Sequence, residues 1–119
     1  MHELSVCQAL LRQVEALARE HGGAPVMAIE LRIGPLSGVE PALLEHAFAI
    51  AKQGTLAEDA RLVIERPPLT VRCLLCGRDS EATASRLACC HCGSHRTRLI
   101  SGDEMLLTGI DLKEENTHV

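Results

Sequence analysis

Four cysteines spaced Cys73-x2-Cys76-x12-Cys89-x2-Cys92 constrain this chain more than any other feature. Thiolates at these intervals can converge tetrahedrally on one Zn²⁺. A glycine follows each pair, Gly77 and Gly93. A metal knuckle needs a residue there that tolerates φ > 0 while backbone N–H groups turn toward the sulfurs. A thioredoxin-like redox site would be a single C-x-x-C in a βαβ setting, and the duplicated pair argues against it. Cys90 is a spare thiol, and using it in place of Cys89 would leave C-x-C, a poorer bite. His91 and His95 lie beside the cysteines in sequence, either as exposed polar residues or as donors around the site. Four thiolates leave no open coordination position, so the ion is expected to be structural. A segment this short cannot build its own core, and the metal is expected to hold it together.

The rest of the chain must supply a conventional core. Of 119 residues, 46% are apolar, enough for one modest domain with a small insertion. That core must be aliphatic, because Phe48 is the one aromatic residue. Residues 4–21 read as an amphipathic helix, with Leu4, Cys7, Leu10, Leu11, Val14, Leu17 and Ala18 at spacings of three and four. Ser5 and Gln8 suggest a capping box at its start, and Gly22-Gly23 end it. "VMAIELRIG" alternates as a half-buried strand with Met27, Ile29, Leu31 and Ile33 on one side. "GPLSG" breaks it. A second helix is expected from Glu40, with Pro41 in its first turn and Leu43, Leu44, Ala47, Phe48, Ile50 and Ala51 buried. "ARLVIER" is a second strand stopped by Pro67-Pro68. "EMLLTGIDL" is a third, with Leu106, Ile110 and Leu112 on one side, followed by a polar end expected to fray.

The expected architecture is therefore α+β. Two helices pack on a three-stranded sheet in residues 1–69 and 102–119, and a zinc-ribbon-like four-cysteine domain is inserted over residues 70–101. The start of the chain reads as neither a signal peptide nor a membrane span, so a cytoplasmic protein is expected. Six cysteines in such a protein favour metal binding over disulfides. A net charge of −4 and the absence of Trp and Tyr argue against a nucleic-acid binder. Arg72, Arg78, Arg86, Arg96 and Arg98 tint the cysteine segment basic, either as a solvated face or as a docking surface for an acidic partner.

"MHE" at the start poses a separate question. The α-amine of Met1, the amide nitrogen that follows and the His2 imidazole can close fused chelate rings on one ion. The amide or carboxylate of Glu3 could add a fourth donor. Nitrogen-rich, near-planar sets suit Ni²⁺ or Cu²⁺ better than Zn²⁺. The competing reading is that a histidine at position 2 has no ligand role.

Context bears on that choice. "MHELSVCQALL", "LRIGPLSGVEP" and the C-x-x-C…C-x-x-C-G-S segment with a final strand, in this order, resemble the HypA/HybF family of hydrogenase maturation nickel metallochaperones. The resemblance spans nearly the whole chain. It implies a nickel-binding α/β domain and a separate structural zinc domain. It implies that nickel is held by Met1, His2 and Glu3, with Glu40 as a further candidate, and zinc by Cys73, Cys76, Cys89 and Cys92. It implies delivery of nickel to the large subunit of [NiFe]-hydrogenase with the maturation GTPase HypB, and service to urease maturation in some members. Cys90 departs from the family's frequent C-P-x-C second knuckle. The alternative is a zinc-ribbon module that binds protein or nucleic acid, which leaves "MHE" unexplained. An enzyme is not expected: no H-E-x-x-H, Gly-rich phosphate loop or Ser/His/Asp set is present. His46 reads as an ordinary helical histidine, and Cys7 as a small apolar core residue.

Overall fold

The structure, a computed structural model, describes residues 2–113; Met1, the side chain of His2 and residues 114–119 lie outside the described residues. The chain divides into two compact units. One comprises residues 1–31, 40–64 and 107–119, and the other residues 32–39 and 65–106.

The first unit begins with α1 (His2–Glu20). Its start precedes the expected capping box, which puts Ser5 inside the helix. Cys7, Leu10, Leu11, Val14 and Ala18 form its buried stripe. The helix closes where the Gly23 N–H donates to the Ala18 carbonyl at 2.8 Å. Then comes β1 (Val26–Ile33), the middle strand of a sheet ordered β2-β1-β6, where β2 is Arg61–Glu65 and β6 is Met105–Leu112. Ile29, Leu31 and Ile33 are buried as their alternation predicts, but Val26 and Ala28 are buried too and Met27 is 40% exposed. Lys113 N–H donates to the Pro25 carbonyl and Thr108 Oγ1 to the Glu30 carbonyl, which runs β6 antiparallel to β1. Leu106 is exposed, unlike the half-buried Ile110 and Leu112 expected beside it.

The second helix, α2 (Pro41–Ala51), starts with Glu40 as N-cap and Pro41 at its first position. Proline is tolerated there because that N–H has no intrahelical acceptor. Leu44, Ala47 and Phe48 are buried, whereas Leu43 and Ile50 point away from the core. This helix is apolar on almost every side, so its periodicity leaves the inward face open. Packing against α1 decides it, with Leu44, Ala47 and Phe48 on the buried side. Across the loop after α2, the Glu15 carboxylate accepts the Leu56 N–H at 3.0 Å.

The second unit is built on a separate antiparallel sheet ordered β4-β3-β5, with β3 Leu69–Cys73, β4 Asp79–Ala82 and β5 Thr97–Ser101. Leu69, Val71 and Cys73 face inward, and Thr70 and Arg72 alternate outward. Residues 34–39 close on the turn before β6 through the Gly34 N–H to Glu104 carbonyl bond (2.8 Å) and the Leu36 N–H to Gly102 carbonyl bond (2.6 Å). The fully buried large aliphatic side chains here are few, led by Leu69 and Val71. No helix among the described residues is long and apolar enough to cross a membrane.

Candidate metal centre

Two turns of the second unit have the same backbone plan. In the first, the Cys73 N–H donates to the Arg78 carbonyl and the Cys73 carbonyl accepts from Gly77 N–H. In the second, the Cys89 N–H donates to the Ser94 carbonyl and the Cys89 carbonyl accepts from Gly93 N–H. Gly77 and Gly93 sit at φ 77° and 78°, a conformation a Cβ disfavours. Each turn folds its amides back on its leading sulfur. Leu75 and Cys76 N–H groups donate to Cys73 Sγ at 3.3 and 3.4 Å, and His91 and Cys92 N–H groups to Cys89 Sγ at 3.3 and 3.5 Å.

The turns bring four sulfurs together. Cys73 Sγ lies 3.5 Å from Cys92 Sγ, Cys76 Sγ lies 3.7 Å from Cys89 Sγ, and all four fall within 4.8 Å of one another. A tetrahedral site with metal–sulfur bonds of about 2.3 Å has edges of roughly 3.8 Å. The spacing fits such an ion, and soft thiolates suit Zn²⁺. Cys73 and Cys89 are buried while Cys76 and Cys92 are exposed, so the site is open along one side.

Amide donation and sulfur crowding divide the four thiols by charge. The Cys76 N–H, helped by that of Leu75, pulls the Cys73 thiol down to about 6. The Cys92 and His91 N–H groups lower Cys89 in the same way. At Cys76 the Arg78 N–H lowers the thiol, but burial and the neighbouring Cys89 and Cys73 outweigh it and the net shift is upward. At Cys92 the Ser94 N–H is likewise outweighed, by Cys73, burial, Cys89 and Cys76, and the thiol is pushed up to about 11. The leading cysteine of each turn is thus disposed to be a thiolate, and the trailing one keeps its proton until a cation displaces it.

The neighbouring candidates stand apart from this group. The Cys90 thiol is exposed and free, and its backbone N–H donates to Ser80 Oγ at 3.3 Å. His91 and His95 are exposed and do not join the four sulfurs. Sequence reasoning missed Ser80, the buried hydroxyl that anchors the second turn to β4. Its strand reads Asp-Ser-Glu-Ala and carries no apolar alternation that would have marked it. Cys7 is fully buried and burial pushes its thiol up, which suits a core residue and not a nucleophile. His46 is exposed on α2.

The N-terminal candidates lie in the first unit. Met1 and the His2 imidazole fall outside the described residues. Glu3 is half-buried in the first turn of α1. Glu40 is exposed at the N-cap of α2, its carboxylate accepting from the Ala42 N–H at 3.5 Å. Among the described residues neither belongs to a converging group of three or more metal-binding side chains, and the four cysteines do.

Known proteins resemble the chain over its whole length. The family described as "Hydrogenase/urease nickel incorporation, metallochaperone, hypA" matches residues 1–112. The hydrogenase maturation factor HypA of Nitrosospira multiformis is 52% identical over 112 residues, covering 94% of this chain and 97% of that protein. That of Aquifex aeolicus is 44% identical over 113 residues, covering 95% and 98%. A solution structure of a HypA protein superposes with a TM-score of 0.72 at 26% identity, covering 97% of this chain and 98% of that one. The solution structure of the nickel metallochaperone HypA from Helicobacter pylori shares the fold, with a TM-score of 0.66 at 24% identity over 95% and 98% of the two chains. On this full-length agreement the chain belongs to the HypA family of hydrogenase/urease nickel-incorporation metallochaperones.

Proposed function

We propose that the chain binds Ni²⁺ at its N-terminal Met1-His2-Glu3 segment and delivers it for maturation of [NiFe]-hydrogenase. It works in the cytoplasm without catalytic activity of its own. The observation that carries this reading is that the family match begins at residue 1 and so includes "MHE". The start of α1 supports it. The first four N–H groups of a helix have no intrahelical acceptor, so the amide nitrogens of His2 and Glu3 lack one. An unperturbed α-amine titrates near ~7.7–8.0, so nickel binding through it would release a proton and strengthen with pH.

In this reading the Met1 amine, the deprotonated His2 amide and the His2 imidazole chelate the cargo, and the backbone or carboxylate of Glu3 adds a donor. Glu40 is a further oxygen donor, available because the only described bond of its carboxylate is the long one to Ala42 N–H. A small ligand set lets an acceptor's donors replace its members one at a time. The HypB GTPase and the hydrogenase large subunit are the proposed partners, with urease maturation as a second destination. Cys73, Cys76, Cys89 and Cys92 would hold Zn²⁺, which supplies a cross-link between the two turns. The nickel-binding part is assigned to residues 1–69 with 102–119, and the zinc-binding part to residues 70–101.

Calorimetric titration of Ni²⁺ into zinc-loaded protein tests this, with His2→Ala and a Gly-Ser extension ahead of Met1 alongside. Loss of binding in both variants is expected. Binding by the extended chain at wild-type affinity would remove the amine from the site. Normal binding by His2→Ala would end the N-terminal assignment.

A further inference from the structure

The Cys73–Cys76 turn carries a surface that metal binding does not explain. Leu74 and Leu75 are each 64% exposed, more than any other large apolar residue among those described. Their backbone is fixed: the Leu74 N–H donates to the Arg96 carbonyl at 2.8 Å, and the Leu75 N–H to Cys73 Sγ at 3.3 Å. A rigid apolar tip loses little conformational freedom when it is covered.

Arginines surround the tip. Arg96 is hydrogen-bonded to Leu74, and Arg78 to the adjacent Cys73, through their backbones. Arg72 precedes Cys73 and stands opposite Arg98 in the β3–β5 register. All four arginines are exposed. Arg72 is committed to Asp79, at 2.8 and 3.2 Å. Among the described residues Arg78, Arg96 and Arg98 make no ion pair. Two exposed leucines beside exposed arginines, of which Arg78 and Arg96 make no ion pair among the described residues, complement a protein face with an apolar recess bordered by carboxylates, which arginine can grip bidentately. Nucleic acid fits less well, because the tip offers bases no aromatic platform.

We propose that this turn is the docking surface for an acidic face of the protein that receives the nickel. The inference rests on the delivery reading above and gives it a contact point. The test uses full-length zinc-loaded chain and the [NiFe]-hydrogenase large-subunit precursor of the same organism as probe, with affinity read by biolayer interferometry. The Leu74→Ser/Leu75→Ser and Arg78→Glu/Arg96→Glu double variants are each expected to bind at least tenfold more weakly, with zinc content unchanged. Leu43→Ser/Ile50→Ser, on the exposed side of α2, is expected to stay within twofold. Wild-type binding should weaken several-fold between 50 and 300 mM NaCl. Should the leucine variant lose zinc, the arginine variant decides alone. Precursor binding that neither tip variant weakens overturns the docking surface and leaves delivery standing. A precursor that binds no form of the chain overturns both. Binding of wild type to phosphatidylserine vesicles, abolished in the tip variants, would assign the tip to a membrane and overturn the proposal.

Discussion

At the scale of the residue, the four thiols do not share one acidity. Cys73, at about 6, is largely ionised at pH 7, whereas Cys92, at about 11, and the raised Cys76 are protonated. A divalent ion that takes all four sulfurs must expel those last protons, so binding releases protons, those of Cys92 and Cys76 foremost. The sign follows: affinity rises with pH, by about tenfold per unit for each proton released. Competition titration with a zinc chelator at pH 6.5, 7.0 and 7.5 measures the slope, and a flat profile would contradict the proton assignment. Cys90 should contribute nothing to this. Cys90→Ser is expected to bind one zinc with unchanged affinity, while Cys89→Ser loses a ligand and weakens by orders of magnitude. The choice between Cys89 and Cys90 was legible in the sequence because the bite of C-x-x-C is a local property of one turn. The amide donors that split the acidities were not, since each depends on how the backbone folds over a sulfur.

At the scale of the element, the same contrast recurs. Pro41 after Glu40 marked the start of α2, because proline's missing N–H is harmless only there. The inward face of α2 was misread at Leu43 and Ile50, because a helix with apolar residues nearly all round offers no single stripe. Asp-Ser-Glu-Ala gave no sign of being β4; pairing with β3, with Val71 opposite Ser80, makes it a strand. "GPLSG" was read as a break after β1, which it is, but its tightest constraint is tertiary. A Cβ on Gly34 would run into the Gly102 carbonyl and the Glu104 carboxylate. That carboxylate is held by the Gly102 N–H at 2.8 Å and cannot swing away freely. Gly34→Ala is therefore expected to destabilise the second unit by about 2 kcal/mol. Urea unfolding followed at β3 amides would show it, and a change under ~0.5 kcal/mol would mean the turn relaxes without cost.

At the scale of the whole molecule, the two units differ in what holds them together. The first buries Leu10, Leu11 and Val14 of α1, Ile29 and Leu31 of β1, and Leu44 and Phe48 of α2. That is a continuous aliphatic core of the kind that sustains a small domain. The second buries Leu69, Val71 and Ile33, with little beside them except Ala88 and the sulfurs of Cys73 and Cys89. Its three short strands cannot repay the entropy of ordering from so small an apolar area, so the ion must supply the balance. Yet the chain passes between the units four times, after residues 31, 39, 64 and 106. Those crossings make loss of the second unit a loop-closure event for the first, and loop length costs little entropy. Stripping the metal with a chelator should therefore melt one unit and spare the other. In hydrogen exchange, the amides of Val71 and Leu99 are expected to lose protection by orders of magnitude, while those of Val14, Ile29 and Leu44 stay protected within about tenfold. Restoring Zn²⁺ should restore the first set. Simultaneous loss of both sets would mean that the chain folds as one cooperative body. Retention of both would mean that the small sheet stands without its ion.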